Sequence, residues 1–155
     1  MSHMNGIQHL SMAGRIKEFH LRHGGDCVGD GHNFFYPNGA YREVMPEGAL
    51  VDPPEDEWER LQNIRSFHKG KLAKAIHEFE DFRESITHAF PDKASMSELK
   101  RLQAVVGEKQ AAFDAASKAL ENTQHGKRLA ERKLQAAENA QRQSEWASSV
   151  RAVRI

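Results

Sequence analysis

The segment that determines the fold, residues 95–150, reads SMSELKRLQAVVGEKQAAFDAASKALENTQHGKRLAERKLQAAENAQRQSEWASSV. It contains no proline and only two glycines, Gly107 and Gly126. Most of its residues are Ala, Leu, Lys, Glu, Gln and Arg, which lose little conformational freedom when they enter a helix. The composition therefore predicts one long helix over 95–150.

Apolar residues recur along this segment at heptad spacing. The first position of the repeat is occupied by Leu99, Val106, Phe113, Leu120, Lys127 and Leu134. The companion position is occupied by Leu102, Lys109, Ala116, Thr123, Ala130 and Ala137. This pattern predicts the seam of a coiled coil or of a helical hairpin, interrupted by a few polar residues.

A second long helix is predicted over 52–90. Asp52 is a candidate N-cap, Pro53 suits the first helical position and Pro91 ends the helix. Ser95 and Glu98 form the capping-box pattern for the following helix. Because the link between the two helices is short, they are expected to pack as antiparallel neighbours.

Residues 5–51 are expected to form a small β-rich unit, since eight of the eleven glycines precede Pro53. Asn38-Gly39 between two apolar runs is a strong signal for a β-hairpin. Further turns are predicted at 29–31 and 46–48, and a strand at 15–23. The predicted fold is mainly α, a long antiparallel coiled-coil-like helical hairpin with a small N-terminal β-meander. Residues 1–4 are interpreted as an expression remnant and 151–155 as a tail.

The two predicted helices differ in length. At about 1.5 Å per residue, the helix over 95–150 would extend past its partner by about 17 residues, beginning near Leu134. In one interpretation the β-meander covers this overhang and places its aromatic residues near Leu134, Ala137 and Trp146. In the other, a second copy of the chain or another protein covers it. The sequence leaves both open.

Composition limits the classes of function. The chain has 22 basic and 22 acidic residues, so no overall charge favours nucleic acid or a membrane surface. A single cysteine, Cys27, fits a reducing compartment. No apolar run approaches the roughly 20 residues of a membrane span, and no signal-peptide pattern is present. A cytoplasmic protein with no membrane partner is expected.

One candidate metal site lies in the N-terminal unit. His20, His23, Cys27 and His32 are ligand types that zinc accepts, and they fall within thirteen residues separated by glycines. Their spacing matches no known zinc pattern and lacks a Cys-x-x-Cys pair. The competing interpretation is a set of solvated loop histidines beside one buried cysteine. We therefore expect no cofactor, with zinc as the alternative.

Catalytic patterns are missing from the sequence, so an enzyme is not expected. Cys27 has nearby histidines but no further catalytic partner, and no glycine-rich loop has a phosphate-binding pattern. Nucleic acid is the stronger alternative, because the C-terminal end of the long helix is basic and carries Trp146. The candidate residues for that contact are Arg142, Arg151 and Arg154.

The leading hypothesis is a non-enzymatic protein–protein interaction module, such as an adaptor, an assembly factor or a stoichiometric regulator or inhibitor. Its partner would be another protein or a second copy of the chain. A helix longer than its intramolecular partner would leave an apolar strip uncovered. Two contact surfaces are predicted, one on the overhang and one at the tip of the meander. Their residues are Leu134, Ala137, Trp146 and Val150, and Tyr36, Asn38 and Tyr41.

Overall fold

A computed structural model describes residues 11–44, 49–86 and 91–153 of the chain. It begins with helix α1 (Met12–Arg22), followed by strands β1 (Val28–Gly29), β2 (Asn33–Phe35), β3 (Tyr41–Glu43) and β4 (Leu50–Val51). Helices α2 (Glu57–Ser85), α3 (Lys93–Glu121) and α4 (Gln124–Val153) complete it. The predicted mainly-α fold, with a helical hairpin and a small β-meander, is confirmed.

The hairpin consists of α2 and α3, which pack side by side in opposite directions. Arg65 Nε donates to Ser117 Oγ at 2.9 Å, and the Arg65 guanidinium lies 4.8 Å from the centre of the Phe113 ring. Near the start of α2, the Trp58 ring lies 4.5 Å from the His125 ring. Each helix is 29 residues long, and the start of α2 extends past the end of α3 to reach His125 in the first turn of α4. The buried residues of the two helices are Phe67, Leu72, Ala75 and Leu102.

Both hairpin helices begin at a different cap from the one predicted. The Asp56 side chain accepts from the Glu59 N–H at 3.0 Å, and the Asp92 side chain accepts from the Ser95 N–H at 2.7 Å. Each aspartate lies immediately before its helix, so it satisfies an N–H that the first turn leaves free. The predicted caps Asp52 and Ser95 are therefore wrong. The first helix ends at Ser85, before its predicted end at residue 90, and residues 87–90 lie outside the described residues.

The single helix predicted over 95–150 is divided in two, which corrects that prediction. Thr123 Oγ1 donates to the Leu120 carbonyl at 2.7 Å and accepts from the Gly126 N–H at 3.0 Å. Asn and Thr side chains compete with the helical hydrogen bonds, so α3 ends here and α4 starts anew. A Cβ on Gly126 would lie 2.4 Å from the Leu120 carbonyl oxygen. Only glycine fits this tight junction.

The strand predicted at 15–23 is instead helix α1. The Ser11 side chain accepts from the Gly14 N–H at 3.1 Å and caps the helix. Ile16, Phe19 and His23 recur at helical spacing and lie on its inner side, with Phe19 and His23 buried. Alternation over a few residues had indicated a strand, but the cap and the longer period favour a helix.

The four strands form one antiparallel sheet in the order β1-β2-β3-β4. The hairpin predicted at Asn38-Gly39 joins β2 and β3, and Gly39 has a φ of +93°, which glycine adopts readily. Below it lies a small core of Phe19, Tyr36 and Ala40, against which Cys27 and Leu50 pack. The turn predicted at 46–48 lies outside the described residues.

The meander packs on α2 and not on the overhanging helix. Gly70 in the middle of α2 provides the contact, since a Cβ there would lie 2.1 Å from Val28 Cγ1. Asn63 Nδ2 donates to the Gly39 carbonyl at 3.0 Å, and Lys71 Nζ lies 2.6 Å from Asp26 Oδ2. The interpretation in which the meander covers Leu134, Ala137 and Trp146 is therefore wrong.

Replacing Gly70 should separate the sheet from α2. We expect Gly70→Ala to lower the free energy of unfolding by about 1–3 kcal/mol, because the added methyl group overpacks against Val28. The matched control is Gly107→Ala in α3, where an added Cβ meets nothing within 4 Å. That change should stabilise the protein by up to about 1 kcal/mol. Urea unfolding measures both, and equal effects of the two substitutions would contradict the contact.

The stability of the hairpin should depend on pH through His68. Burial lowers the pKa of His68, and the positive charge of Lys109 lowers it further. The unfolded chain therefore takes up a proton at a higher pH than the folded chain, so stability falls as the pH drops below about 6.5. Urea unfolding between pH 7.5 and pH 5.5 should show a smaller decrease for His68→Gln than for the wild type. An unchanged decrease would assign the effect to other groups.

Candidate functional site

The largest uncovered feature of the described residues is α4. It is 30 residues long, and at about 1.5 Å per residue it extends about 45 Å. Of its large apolar side chains, Leu134 is 63% exposed, Trp146 is 70% exposed and Val153 is 86% exposed. Every residue from 130 to 146 is exposed. No described helix or strand covers either side of this part of the chain.

The first turn of α4 holds it to the rest of the structure. Gly126 is the only residue of α4 that is fully buried, and it packs on the last turn of α3. His125 stacks edge-on against Trp58 of α2. The heptad positions Lys127, Ala130 and Leu134 continue the seam of α3 but lie beyond the start of α2, so nothing lies opposite them. The overhang thus begins a few residues earlier than predicted.

The far end of α4 carries an apolar patch. Trp146, Ser149, Val150 and Val153 follow one another at helical spacing and line an open depression of about 280 Å³. Val150 is half-buried by its neighbours on the helix, whereas Trp146 projects into solvent. Leu134 and Ala137 lie two to three turns nearer the hairpin, on another side of the helix. The four predicted contact residues therefore share one exposed helix but not one continuous stripe.

Basic residues of α4 are spread along its length. Its described residues include six basic and three acidic side chains. Arg142 and Arg151 are exposed, and Arg154 lies outside the described residues. Four of the six basic residues lie in the first half of α4, and none of the ion pairs found between described residues involves any of the six. The acidic residues Glu131, Glu138 and Glu145 follow one side at a spacing of seven.

The second predicted contact surface, at the tip of the meander, differs from expectation. Tyr36 is completely buried, so its side chain is not available to a partner. The Asn38 side chain is exposed at its edge but is bonded to His23 and to the Ala40 N–H. Tyr41 is half-buried and lies 6.1 Å from the Phe35 ring. These residues build the small core and its turn.

The four candidate zinc ligands do not converge. His23 is buried with both ring nitrogens in hydrogen bonds, and His20 Nδ1 lies 3.4 Å from the Tyr36 hydroxyl. Cys27 packs beside the core, whereas His32 is exposed in the turn before β2. In the described parts of the chain, no group of three or more His, Cys, Asp or Glu side chains is arranged to hold a metal ion.

The buried hydroxyl of Tyr36 is at the centre of a small polar network. Burial raises its pKa, the nearby Cys27 raises it further, and hydrogen bonding to Arg42 lowers it. The Arg42 guanidinium also lies 4.3 Å from the centre of the Phe34 ring. Because each group has a packing role, this network stabilises the meander.

A groove between β1 and α2 is a feature that the sequence did not reveal. It has a volume of about 430 Å³. It is lined by Cys27, Val28, Gly29, Gly70, Lys71, Ala73, Lys74 and His77. Two of its charged side chains are already paired, since Lys71 contacts Asp26 and His77 contacts Asp81. Gly70 was the available signal, because a glycine inside a helix often marks a close approach.

Comparison of the chain with family models, curated proteins and solved structures found no match. Among the described helices, none combines the length and the apolar character that crossing a bilayer requires. The exposed helix α4 is therefore the feature of the described residues from which a function is best inferred.

Removing α4 should leave the rest of the fold intact. A chain ending at Asn122 loses the contacts of Thr123, His125 and Gly126 and the half-buried Leu129. It keeps the seam between α2 and α3, so we expect its free energy of unfolding to change by less than about 1 kcal/mol. The matched control is Leu102→Ala in the buried seam, which should cost about 2–5 kcal/mol. Urea unfolding compares the two. A truncated chain as unstable as the control would show that α4 covers part of the core.

Proposed function

We propose that the protein is a non-enzymatic interaction module that binds another protein through α4. The adaptor, assembly-factor and regulator roles are forms of this function, and the cytoplasm is the proposed compartment. The partner is a protein surface that covers apolar side chains of this helix, and a second copy of the chain is the simplest such partner. One observation carries the proposal: Leu134, Trp146 and Val153 are all more than half exposed on a single helix.

The exposure of apolar side chains of this size to water is unfavourable in free energy. Burial contributes about 25 cal/mol for each Å² of apolar surface, so a fully covered Leu or Trp stabilises a complex by about 1.5–3 kcal/mol. Large apolar residues exposed together typically mark binding surfaces. Tryptophan is also one of the residues that most often contribute strongly to protein interfaces. Trp146 is therefore the first residue to test.

The total surface of the chain supports the same proposal. It exposes 11726 Å², whereas a compact monomer of 17.5 kDa exposes about 7900 Å². The long uncovered helix is one source of the difference. Binding along α4 would remove part of this surface from water, which is favourable for its apolar side chains.

Nucleic acid is the alternative that α4 also allows. Arg128, Arg132 and Arg142 are exposed, and Gln135 and Asn139 fall between them at heptad spacing. Such side chains contact phosphates and base edges. The acidic residues on the same helix and the zero net charge of the chain favour a protein partner.

Substitutions on α4 test the proposal. We expect Leu134→Ser with Trp146→Ala to weaken partner binding by at least about tenfold, which corresponds to the loss of one well-buried apolar contact. The matched control is Gln135→Ala with Asn139→Ala, which changes the polar face of the same helix. Sedimentation velocity over a range of concentrations measures self-association, and affinity capture with the three chains measures foreign partners.

Several outcomes separate the hypotheses. If the mass of the wild type rises with concentration and only the apolar variant loses this rise, the result supports a second copy as the partner. If the wild type and the control capture a protein that the apolar variant does not, the result supports a foreign partner. A wild-type chain that stays monomeric and captures the same proteins as the apolar variant would refute the proposal. A mobility shift with nucleic acid at low salt that disappears in Arg142→Ser with Arg151→Ser would favour the alternative.

A further inference from the structure

His23 is the only buried polar or charged residue in the part of the chain that the structure describes. It lies at the end of α1 and is 7% exposed. Its Nε2 is 3.1 Å from Asp52 Oδ1, and its Nδ1 is 2.8 Å from Asn38 Nδ2. The ring of Phe19 lies 4.4 Å away, edge to face. One imidazole thus joins α1, the β2–β3 turn and the segment that leads into α2.

The hydrogen bonds of Asn38 determine which nitrogen of His23 carries the proton. The Ala40 N–H donates to Asn38 Oδ1 at 3.1 Å, so the amide oxygen faces the turn and the NH₂ group faces His23. The NH₂ group can only donate, so His23 Nδ1 accepts and carries no proton. The proton of the neutral ring is therefore on Nε2, from which it is donated to Asp52.

We propose that His23 is a proton-sensitive latch, whose protonation on Nδ1 releases the β2–β3 turn from its contact with α2. A proton taken from solvent onto Nδ1 would point at the NH₂ group of Asn38, so two donors would face each other. Asn38 can accept from the protonated ring only if its amide rotates. After that rotation its NH₂ group faces the Ala40 N–H, and the side-chain hydrogen bond that supplements the backbone bonds of the turn is lost.

The consequence reaches α2 because the turn is packed directly on it. Asn63 Nδ2 donates to the Gly39 carbonyl at 3.0 Å, and a Cβ on Gly39 would lie 2.9 Å from Arg60 Cγ. A change of the turn conformation therefore changes these contacts. The sheet stays attached to α2 through Val28 and Gly70, so only the turn is released.

The titratable groups around the ring are Asp52, Tyr36 and His20, and the response to pH is assigned to His23 and not to them. Asp52 is the charged side chain that contacts the ring, and its carboxylate continues to accept from Nε2 in both states. Tyr36 lies on the other side, and its raised pKa keeps it neutral over the range in which histidine ionises. His20 contacts the hydroxyl of Tyr36 and not the ring of His23.

Nuclear magnetic resonance between pH 8 and pH 5 tests the latch. The His68→Gln background removes the half-buried histidine of α2. At pH 8 the ring nitrogen shifts of His23 should show the Nε2–H form. On acidification the ring, the Asn38 side-chain amide and the Ala40 amide should change with one midpoint. Hydrogen-exchange protection of the Ala40 amide should then decrease about fivefold, as expected for the loss of one hydrogen bond.

The matched variant is Asn38→Asp. Its carboxylate can accept from the protonated Nδ1 and from the Ala40 N–H at the same time, so the ring should still titrate while the Ala40 amide stays in place. In His23→Gln neither change should occur. An Nδ1–H tautomer at pH 8 would overturn the proposal. An Ala40 amide signal that does not change while the His23 ring titrates would also overturn the proposal. This measurement requires no substitution at position 23 or 38.

Discussion

The antiparallel contact between α2 and α3 determines what the rest of the chain can do. Both helices are 29 residues long, and Trp58 at the start of α2 already contacts His125. No part of α2 therefore remains to cover α4 beyond its first turn. Because the sheet packs on α2 at Gly70, the other element large enough to cover α4 is also occupied. The exposure of α4 follows from the lengths of its neighbours.

Small residues control where the elements of this protein meet. Gly70 allows Val28 to approach α2, and Gly126 allows the first turn of α4 to approach the end of α3. At each place an added methyl group would come closer than 3.0 Å to a neighbouring atom. Gly107 has no such neighbour and lies on an exposed part of α3. Equivalent glycines in the sequence thus have different structural roles, which become apparent only from their surroundings.

Local patterns predicted the fold class, and tertiary contacts decided the details. Asn38-Gly39 correctly indicated a hairpin, although the loop spans the three residues 37–39 and only Gly39 among them has a positive φ. The heptad pattern correctly indicated a hairpin seam, but it runs through Thr123 without showing that this side chain ends α3. Asp52 resembled a cap from its spacing, whereas in the structure it bonds to His23, 29 residues earlier. Such long-range bonds are not visible in a single sequence.

Only part of the candidate site could be predicted, because contacts between distant parts of the chain are not visible in a single sequence. Leu134, Ala137 and Trp146 lie exposed on a helix. The sequence could predict that helix because the composition of α4 favours a helix on its own. Tyr36 was assigned to a contact surface because a tyrosine beside a turn is commonly exposed, yet it forms the centre of the core. Burial of Tyr36 depends on α1, which the sequence had indicated as a strand. An error in one element thus changed the interpretation of a residue in another.

An uncovered helix has to be stable enough to remain folded before it binds. Isolated helices are marginal in water, and those shorter than about 12–15 residues rarely persist. α4 has 30 residues with no proline, and its cap at Thr123 and its contact at Gly126 start it on an existing helix end. The costly nucleation step is therefore already complete. A preorganised helix loses less conformational entropy when a partner covers it than a helix that must fold on binding.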